Sequence, residues 1–186
     1  MLVRILAFTG VTLFYLIYLV KGLLLKKQGI TVNLLGKNAK REQYFEIALR
    51  IMTGIGGVLQ FFAPFLFEIN RTGWVHLGVG LIFVGVILFF IAVRAMGLNW
   101  RAGYNEEQRT ELVTNGIYRF SRNPAFVAFD LLYLGLAVVF PNILMIAAAL
   151  IALVLFDRQI RGEEAYLVST FGESYRQYQT KVRRYV

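Results

Sequence analysis

The sequence has no cysteine and a single histidine, His76. The lack of cysteine excludes disulfides, thiolate catalysis and cysteine-ligated metal ions. One histidine is too few for a histidine metal cluster, and a serine–histidine–aspartate triad is excluded on the same ground. We therefore expect neither a metal ion nor a nucleophile of these classes in any functional site.

Acidic residues are also scarce, 11 against 20 lysines and arginines, so the formal net charge is +9. A basic chain suggests nucleic acid, but here the basic residues lie at the ends of apolar runs rather than on one soluble face. Hydrophobic residues make up 58% of the chain, and the mean hydropathy is +0.59. Such an excess favours a lipid bilayer as the solvent, with membrane lipids rather than nucleic acid as partners.

Polar segments divide the chain into apolar runs. The runs are Ile5–Leu25, Tyr44–Phe67, Trp74–Val93, Pro124–Phe140 and Ile143–Phe156. About 20 apolar residues cross a bilayer as a helix, and the first run is too long for the apolar region of a cleaved signal peptide. The last two runs are shorter and are separated only by Pro141–Asn142, which predicts a helical hairpin. We expect a single all-α membrane domain over residues 1–186, with about five transmembrane helices, three of them in residues 1–93.

The basic residues predict an orientation. Placing residues 26–43, 94–123 and 157–186 in the cytoplasm assigns 16 of the 20 basic residues to that side. Lys21 and Arg50 then lie at the cytoplasmic ends of their helices, and only Arg4 and Arg71 lie outside. Cytoplasmic loops are rich in lysine and arginine, so the N-terminus is predicted outside and the C-terminus in the cytoplasm. The short chain favours a prokaryotic plasma membrane.

The first polar segment with possible chemistry precedes the fourth run. Asn115–Gly116 is a turn dipeptide, and Pro124 is suited to the first turn of a helix. Residues 115–123 are therefore expected to form a loop or short helical turn that leads into a helix N-terminus. Free N–H groups there, together with Arg119 and Arg122, suit an anion. A solvated linker on the positive side of the membrane remains the alternative.

The second such segment follows the hairpin. Asp157 with Arg161, and Arg161 with Glu164, have the spacing of helix-surface ion pairs. Glu163 and Glu164 equally suit an amine or a ribose diol, and the two readings remain open. The helix is expected to end at Gly172, with a further amphipathic helix after it. Because a hairpin connects the two polar segments, their membrane-proximal ends are expected to lie close together.

Together the two segments resemble a known family. The stretches "LVTNGIYRFSRNPAF" and "GEEAYLVSTFGESYRQY", separated by the hairpin, are similar to the isoprenylcysteine carboxyl methyltransferase family of integral membrane methyltransferases. Matching positions are Leu112, Val113, Thr114, Gly116, Tyr118, Arg122, Pro124, Glu163, Glu164, Leu167, Phe171, Gly172, Tyr175 and Tyr178. Departures are Asn123 for a histidine, Phe126 for a tyrosine, Ala128 for a glycine and Gln159 for an arginine. The resemblance covers residues 97–182.

The resemblance implies S-adenosyl-L-methionine as the cofactor, bound at the cytoplasmic edge of the membrane. Cofactor-binding residues are then expected to be Leu112, Val113, Gly116, Ile117, Tyr118, Arg122, Asn123, Phe126 and Glu163. In the catalytic roles, Arg158 or Arg161 would hold the methyl acceptor, and Glu164 would orient the cofactor or serve as a base. Asp130 is an ionisable residue within an apolar run, which makes it a candidate for substrate binding. The acceptor is expected to be a lipophilic or lipidated molecule that enters from the bilayer between the hairpin and the third span.

Three alternatives remain open at this stage. A phospholipid or amine methyltransferase would share the cofactor and differ in the acceptor. A sterol-reductase-like protein would use a nicotinamide cofactor, although such proteins are longer. A non-catalytic membrane protein could retain the fold, given Asn123 and Gln159 in place of the family's residues.

Overall fold

The computed structural model describes residues 1–31, 43–100 and 111–185, and all regular structure in those residues is helical. The α-helices are α1 (Leu2–Lys27), α2 (Gln43–Leu66), α3 (Trp74–Met96), α4 (Pro124–Val139), α5 (Ile143–Phe171) and α6 (Glu173–Lys181). Short 3-10 helices cover Gly97–Asn99 and Gly116–Arg119. The all-α prediction is confirmed for this part of the chain.

Four of these helices, α1, α2, α3 and α5, are long and apolar enough to cross a membrane. The predicted fourth span, α4, is apolar but has only 16 residues. At 1.5 Å per residue it is about 24 Å long, less than the ~30 Å of a hydrocarbon core. Five of the basic residues that predict the orientation lie outside the described part of the chain, namely Lys37, Lys40, Arg41, Arg101 and Arg109.

Glycines bring α3 and α4 into close contact. A Cβ atom added at Gly78 would lie 2.8 Å from the carbonyl oxygen of Gly135, and one at Gly85 would lie 2.9 Å from that of Ala128. Small residues allow such backbone approach between helices in lipid. Gly80, on the same helix, faces open space. The sequence analysis predicted that an acceptor enters between the hairpin and the third span. Because α3 and α4 are packed backbone to backbone, the structure disfavours entry between these two helices.

An aromatic core joins α1 to α3 and α4. Phe14 and Phe89 are stacked with ring centroids 4.3 Å apart, and Phe129 contacts both rings edge-on. Trp100, which follows α3, is 5% exposed and packs edge-on against Tyr18. Aromatic pairs at these separations contribute beyond the area they bury. The core therefore fixes the end of α3 from which the chain leads toward the functional site.

α4 and α5 are separated by residues 140–142 and pack against each other. Phe126 near the start of α4 lies against Phe156 of α5, with ring centroids 5.6 Å apart. Asn142 caps α5 by accepting hydrogen bonds from the backbone N–H groups of Leu144 and Met145. α5 continues without a break past its apolar part to Phe171, and Gly172 ends it with a φ of +54°. The predicted glycine terminus is thus confirmed, and the polar half of α5 is an extension of the same helix.

Candidate functional site

The backbone before α4 forms a tight turn that aims Arg122 inward. Gly116 has a φ of +60°, a conformation that favours glycine, and it begins the 3-10 helix Gly116–Arg119. Pro124 occupies the first turn of α4, as predicted. Asn123 precedes the helix, but its side chain does not cap it. The first-turn N–H groups of α4 therefore carry partial positive charge toward this segment.

Glu164 on α5 meets this segment directly. Arg122 Nε donates to Glu164 Oε1 at 2.9 Å, a contact between residues 42 positions apart. Asn123 Nδ2 donates more weakly to the same oxygen at 3.4 Å. The side chains of Arg122 and Glu164 are only 10% and 5% exposed. The structure therefore brings together Arg122, Asn123 and Glu164, which the sequence had predicted to share one site.

The residues after α6, Val182–Tyr185, form an irregular segment that we call the strap. Its carbonyl groups accept hydrogen bonds from the loop: Arg122 Nη1 donates to Val182 at 2.5 Å, and the Arg122 backbone N–H donates to Arg183 at 3.0 Å. Asn123 Nδ2 donates to the Arg184 carbonyl at 3.1 Å. The strap is therefore bonded to the predicted cofactor-binding loop.

The strap also supplies a second cation to Glu164. Arg184 donates from Nε at 3.0 Å and from Nη2 at 2.8 Å to Glu164 Oε2. That hydrogen bond raises the pKa of the Arg184 guanidinium, so its positive charge is retained. With donors on both oxygens, the four lone-pair positions of the Glu164 carboxylate are occupied. Glu164 thus holds two arginines in place and has no lone pair to spare for a proton.

Glu163 points to a different part of the site. It accepts a hydrogen bond at 2.9 Å from Gln159, a buried amide at the position where the resembled family has an arginine. Burial, the nearby phenol of Tyr178 and the negative charge of Glu163 all raise the pKa of Tyr118. Glu163 and Tyr118, both predicted to bind the cofactor, are therefore electrostatic neighbours.

Tyr178 of α6 ties the 3-10 helix to the C-terminal helices. Its hydroxyl donates to the backbone carbonyl of Tyr118 at 2.6 Å. Burial raises the pKa of Tyr178 to about 12, with the charge of Arg122 acting in the opposite direction. The phenol is consequently protonated and able to donate at neutral pH.

Arg158 and Arg161, the predicted acceptor-binding residues, lie away from Glu164. Arg161 Nε donates to Asp157 at 2.6 Å, as the helical spacing predicted, and its side chain is 62% exposed. The predicted pair between Arg161 and Glu164 is wrong, because Glu164 lies on the buried side of α5 and bonds to Arg122 and Arg184. Arg158 stacks on the ring of Phe45 in α2, 4.3 Å from its centroid.

Asp130, the predicted substrate-binding residue, lies in α4, six residues after Pro124. It is partly buried, and its Oδ1 is enclosed without a hydrogen-bond partner among the described residues. Burial, a hydrogen bond to Asp157 and the charge of Asp130 together raise the pKa of Tyr185 in the strap to about 12. Asp130 is therefore close to the strap but separate from the Glu164 contacts.

The remaining predicted cofactor residues have intermediate or greater exposure. Gly116 is exposed, whereas Leu112, Val113, Ile117 and Phe126 are partly buried. Ile117 also belongs to the 3-10 helix that Tyr178 anchors. No group of three or more acidic or histidine side chains suited to a metal ion occurs among residues 1–31, 43–100 and 111–185.

Sequence reasoning did not single out Arg184. Its role depends on an irregular strap that returns to a loop about 60 residues earlier, and no helical spacing reports such a contact. The sequence feature that points to Arg184 is the cluster of basic residues at positions 181–184, and such a cluster is also typical of a solvated cytoplasmic segment.

Comparison with known proteins matches the same region. The phospholipid methyltransferase family model matches residues 74–174, just over half of the chain. A protein-S-isoprenylcysteine O-methyltransferase from Schizosaccharomyces pombe is 46% identical over 74 residues, 38% of this chain and 30% of that protein. Protein-S-isoprenylcysteine O-methyltransferase B from Arabidopsis thaliana is 30% identical over 131 residues, 67% of this chain and 66% of that protein. The chain thus spans from under a third to about two thirds of the length of these relatives.

Proposed function

Because the chain belongs to the phospholipid methyltransferase family, and its relatives include protein-S-isoprenylcysteine O-methyltransferases, we propose that it is a membrane methyltransferase dependent on S-adenosyl-L-methionine. The proposed acceptor is a carboxylate on a lipophilic or lipidated molecule. The single observation that supports this most is the 2.9 Å contact between Arg122 and Glu164, which joins the two polar segments that the family motifs mark.

The proposed setting is one membrane domain with five spans. α4 would be a short fourth span that forms a hairpin with α5, and the polar half of α5 with α6 would extend into the cytoplasm. The location of most basic residues at one end of the helices supports an N-terminus outside and a C-terminus inside. The site would then lie at the cytoplasmic edge, where a water-soluble cofactor and a lipid-borne acceptor can both reach it.

The residues around the site suit the proposed cofactor. Glu163 would bind its amine or ribose, since carboxylates accept hydrogen bonds from both groups. The first-turn N–H groups of α4 and the guanidinium of Arg122 suit the carboxylate of the cofactor. The adenine would lie against apolar side chains of the loop and of α4, namely Leu112, Val113, Ile117, Tyr118 and Phe126, with Gly116 allowing close approach of the backbone.

When bound, the cofactor would supply an electrophilic methyl group on a sulfonium. The chain's own contribution is then positioning and the exclusion of water. A carboxylate acceptor is ionised near neutral pH and needs no base. Glu164, with its lone pairs occupied, would be a positioning residue that fixes Arg122 and Arg184. Arg158 and Arg161, together with Asp130, would lie along the path by which the acceptor headgroup reaches the site.

The apolar part of the acceptor needs a route from the lipid. Close packing of α3 against α4 leaves little room there, whereas a cavity of about 190 Å³ lies between α2, α4 and α5. Its lining is mainly leucine, isoleucine and alanine, with the phenol of Tyr133 at one side. We place the lateral entry at this cavity.

Calorimetry tests the proposal on the purified protein in detergent. S-adenosyl-L-methionine should bind with micromolar affinity, and NADPH should give no heat. Arg122→Ala and Glu163→Gln should each weaken binding of S-adenosyl-L-methionine at least tenfold. Each substitution removes a charged group that is proposed to form a hydrogen bond with the cofactor.

The matched control is Arg119→Ala, an exposed arginine in the 3-10 helix beside the site. It should bind S-adenosyl-L-methionine as wild type does. Heat with NADPH instead of S-adenosyl-L-methionine would indicate a reductase, and silence with both would indicate a non-catalytic protein.

A phospholipid-type amine acceptor is the second candidate, and the description of the matching family model favours it. An amine needs a base, and Glu163 is better placed than the fully bonded Glu164 to serve as one. Incubating the enzyme with labelled cofactor and either an S-isoprenylcysteine or phosphatidylethanolamine would separate the two acceptors by the labelled product.

A further inference from the structure

The ion cluster formed by Arg122, Glu164 and Arg184 is not electrically balanced. Two guanidinium groups face one carboxylate, so the cluster retains a net positive charge. The neighbouring Asp157 is already shared between Arg161 and Tyr185. Charges that are partly withdrawn from water are favourable only when they are paired and hydrogen-bonded. The three side chains of this cluster therefore carry one positive charge in excess, which an anionic ligand would offset.

Of the two arginines, Arg184 is the one that can reach a ligand. Arg122 is only 10% exposed, and its Nε and Nη1 groups donate to Glu164 and to the carbonyl groups of Gln179 and Val182. Arg184 is 31% exposed, and its Nε and Nη2 groups both donate hydrogen bonds to one oxygen of Glu164, Oε2. A guanidinium has five N–H donors in a planar fork, so Arg184 retains donors at its exposed edge.

The strap holds Arg184 in a defined position. Backbone carbonyl groups on either side of its side chain are bonded to Arg122 and Asn123, and Tyr185 donates to Asp157 at 2.7 Å. An arginine fixed in this way loses little conformational entropy when it binds a second carboxylate, and guanidinium groups bind carboxylates in a bidentate manner.

We propose that Arg184 binds a carboxylate of a ligand at the open side of this cluster. The assignment rests on the proposed methyltransferase function. Two ligands of that reaction carry a carboxylate, the aminoacyl group of S-adenosyl-L-methionine and the acceptor. The chemistry recognised is the same in both cases.

The test compares ligands with and without the carboxylate. Arg184→Gln is titrated by calorimetry with S-adenosyl-L-methionine and with its decarboxylated form. The same variant is then titrated with N-acetyl-S-isoprenylcysteine and with the corresponding carboxamide. Arg183→Gln is the matched control, because its exposed side chain neighbours Arg184 and only its backbone bonds to the loop.

Arg184→Gln should lower the affinity for one carboxylate ligand by about 10- to 100-fold, as expected for a lost charge-assisted hydrogen bond. The affinity for the counterpart without the carboxylate should stay within about twofold of wild type. Loss confined to S-adenosyl-L-methionine assigns Arg184 to the cofactor, and loss confined to the prenylcysteine assigns it to the acceptor. Arg184→Lys, which keeps the charge but not the fork, should lie between wild type and Arg184→Gln.

If Arg184→Gln lowers the affinity for each ligand and for its carboxylate-free counterpart equally, Arg184 is only a structural contact and the assignment is overturned. The same conclusion follows if Arg183→Gln has the same effect, or if neither Arg184 variant differs from wild type while wild type binds the cofactor. If Arg184→Gln does not fold, the Lys variant decides by the same comparison. Failure of the wild type to bind S-adenosyl-L-methionine would instead overturn the proposed function, and this assignment with it.

Discussion

Two carboxylates of α5, Asp157 and Glu164, both pair with arginine, but the two contacts differ in burial and in the sequence separation of the partners. Asp157 pairs with Arg161 one turn later on α5, and their side chains are 35% and 62% exposed. Glu164 pairs with Arg122 and Arg184, which lie 42 and 20 positions away in sequence, and its side chain is 5% exposed. The first contact is local and solvated, whereas the second joins three segments of the chain.

This difference shows where charge contributes to the fold. Water screens an exposed ion pair, which therefore contributes little to stability. A buried pair has already lost its water, so removing one partner leaves the other with neither solvent nor counter-charge. Glu164 is thus expected to be essential to the arrangement of the site, and the exposed pair of Asp157 with Arg161 to be dispensable for the fold.

Glu164→Ala should have the largest effect. It leaves two guanidinium groups without their carboxylate, and breaking a buried ion pair in this way costs about 3–5 kcal/mol. Thermal unfolding of the detergent-solubilised protein, followed by circular dichroism, should show a large drop in melting temperature. Arg161→Ala is the matched control, because it breaks the exposed pair and leaves the hydrogen bond from Tyr185 to Asp157 in place. An equal drop in that variant would show that burial does not distinguish the two contacts.

Asn123→Leu should have the next largest effect. It removes the amide that donates to both Glu164 and the Arg184 carbonyl, and each lost hydrogen bond contributes about 1 kcal/mol. Asn123→His, which restores a ring N–H donor at this position, should retain most of the stability. Denaturant unfolding measures both variants, and equal stability of the Leu variant and wild type would contradict the described geometry.

Tyr178→Phe tests a neutral contact in the same region. It should cost about 1 kcal/mol, because the Tyr118 carbonyl loses its donor. The pKa of Tyr178 is raised to about 12 in the folded protein, so this stabilisation is complete below pH 10 and is lost as the pH rises toward 12. Unfolding measured at intervals from pH 8 to pH 12 should show a smaller alkaline loss in the Phe variant than in wild type.

Arg161→Gln should have the smallest effect. The exposed pair with Asp157 is screened, so the melting temperature should remain within experimental error of wild type. High salt should likewise not change the difference between this variant and wild type. A clear loss of stability at low salt that disappears at high salt would show that the surface pair contributes more than its exposure indicates.

The helices could be predicted because apolar composition, Pro124 and Gly172 are local signals. The close packing at Gly78 and Gly85 was only partly predictable, because Gly80 in the same apolar run faces open space. Helical spacing failed for Arg161 and Glu164, because it gives the neighbours on one helix but not which face becomes buried. The strap was not predictable, because hydrogen bonds from irregular backbone carbonyl groups have no sequence period.

The aromatic core has a practical consequence for spectroscopy. The chain has two tryptophans, and of these Trp74 is 62% exposed whereas Trp100 is 5% exposed against Tyr18. A Trp74→Phe variant would leave a single indole, Trp100, just after α3, on the side of the proposed site. Its emission would supply a label-free optical reporter, so that titrations could be followed by fluorescence without attaching a dye.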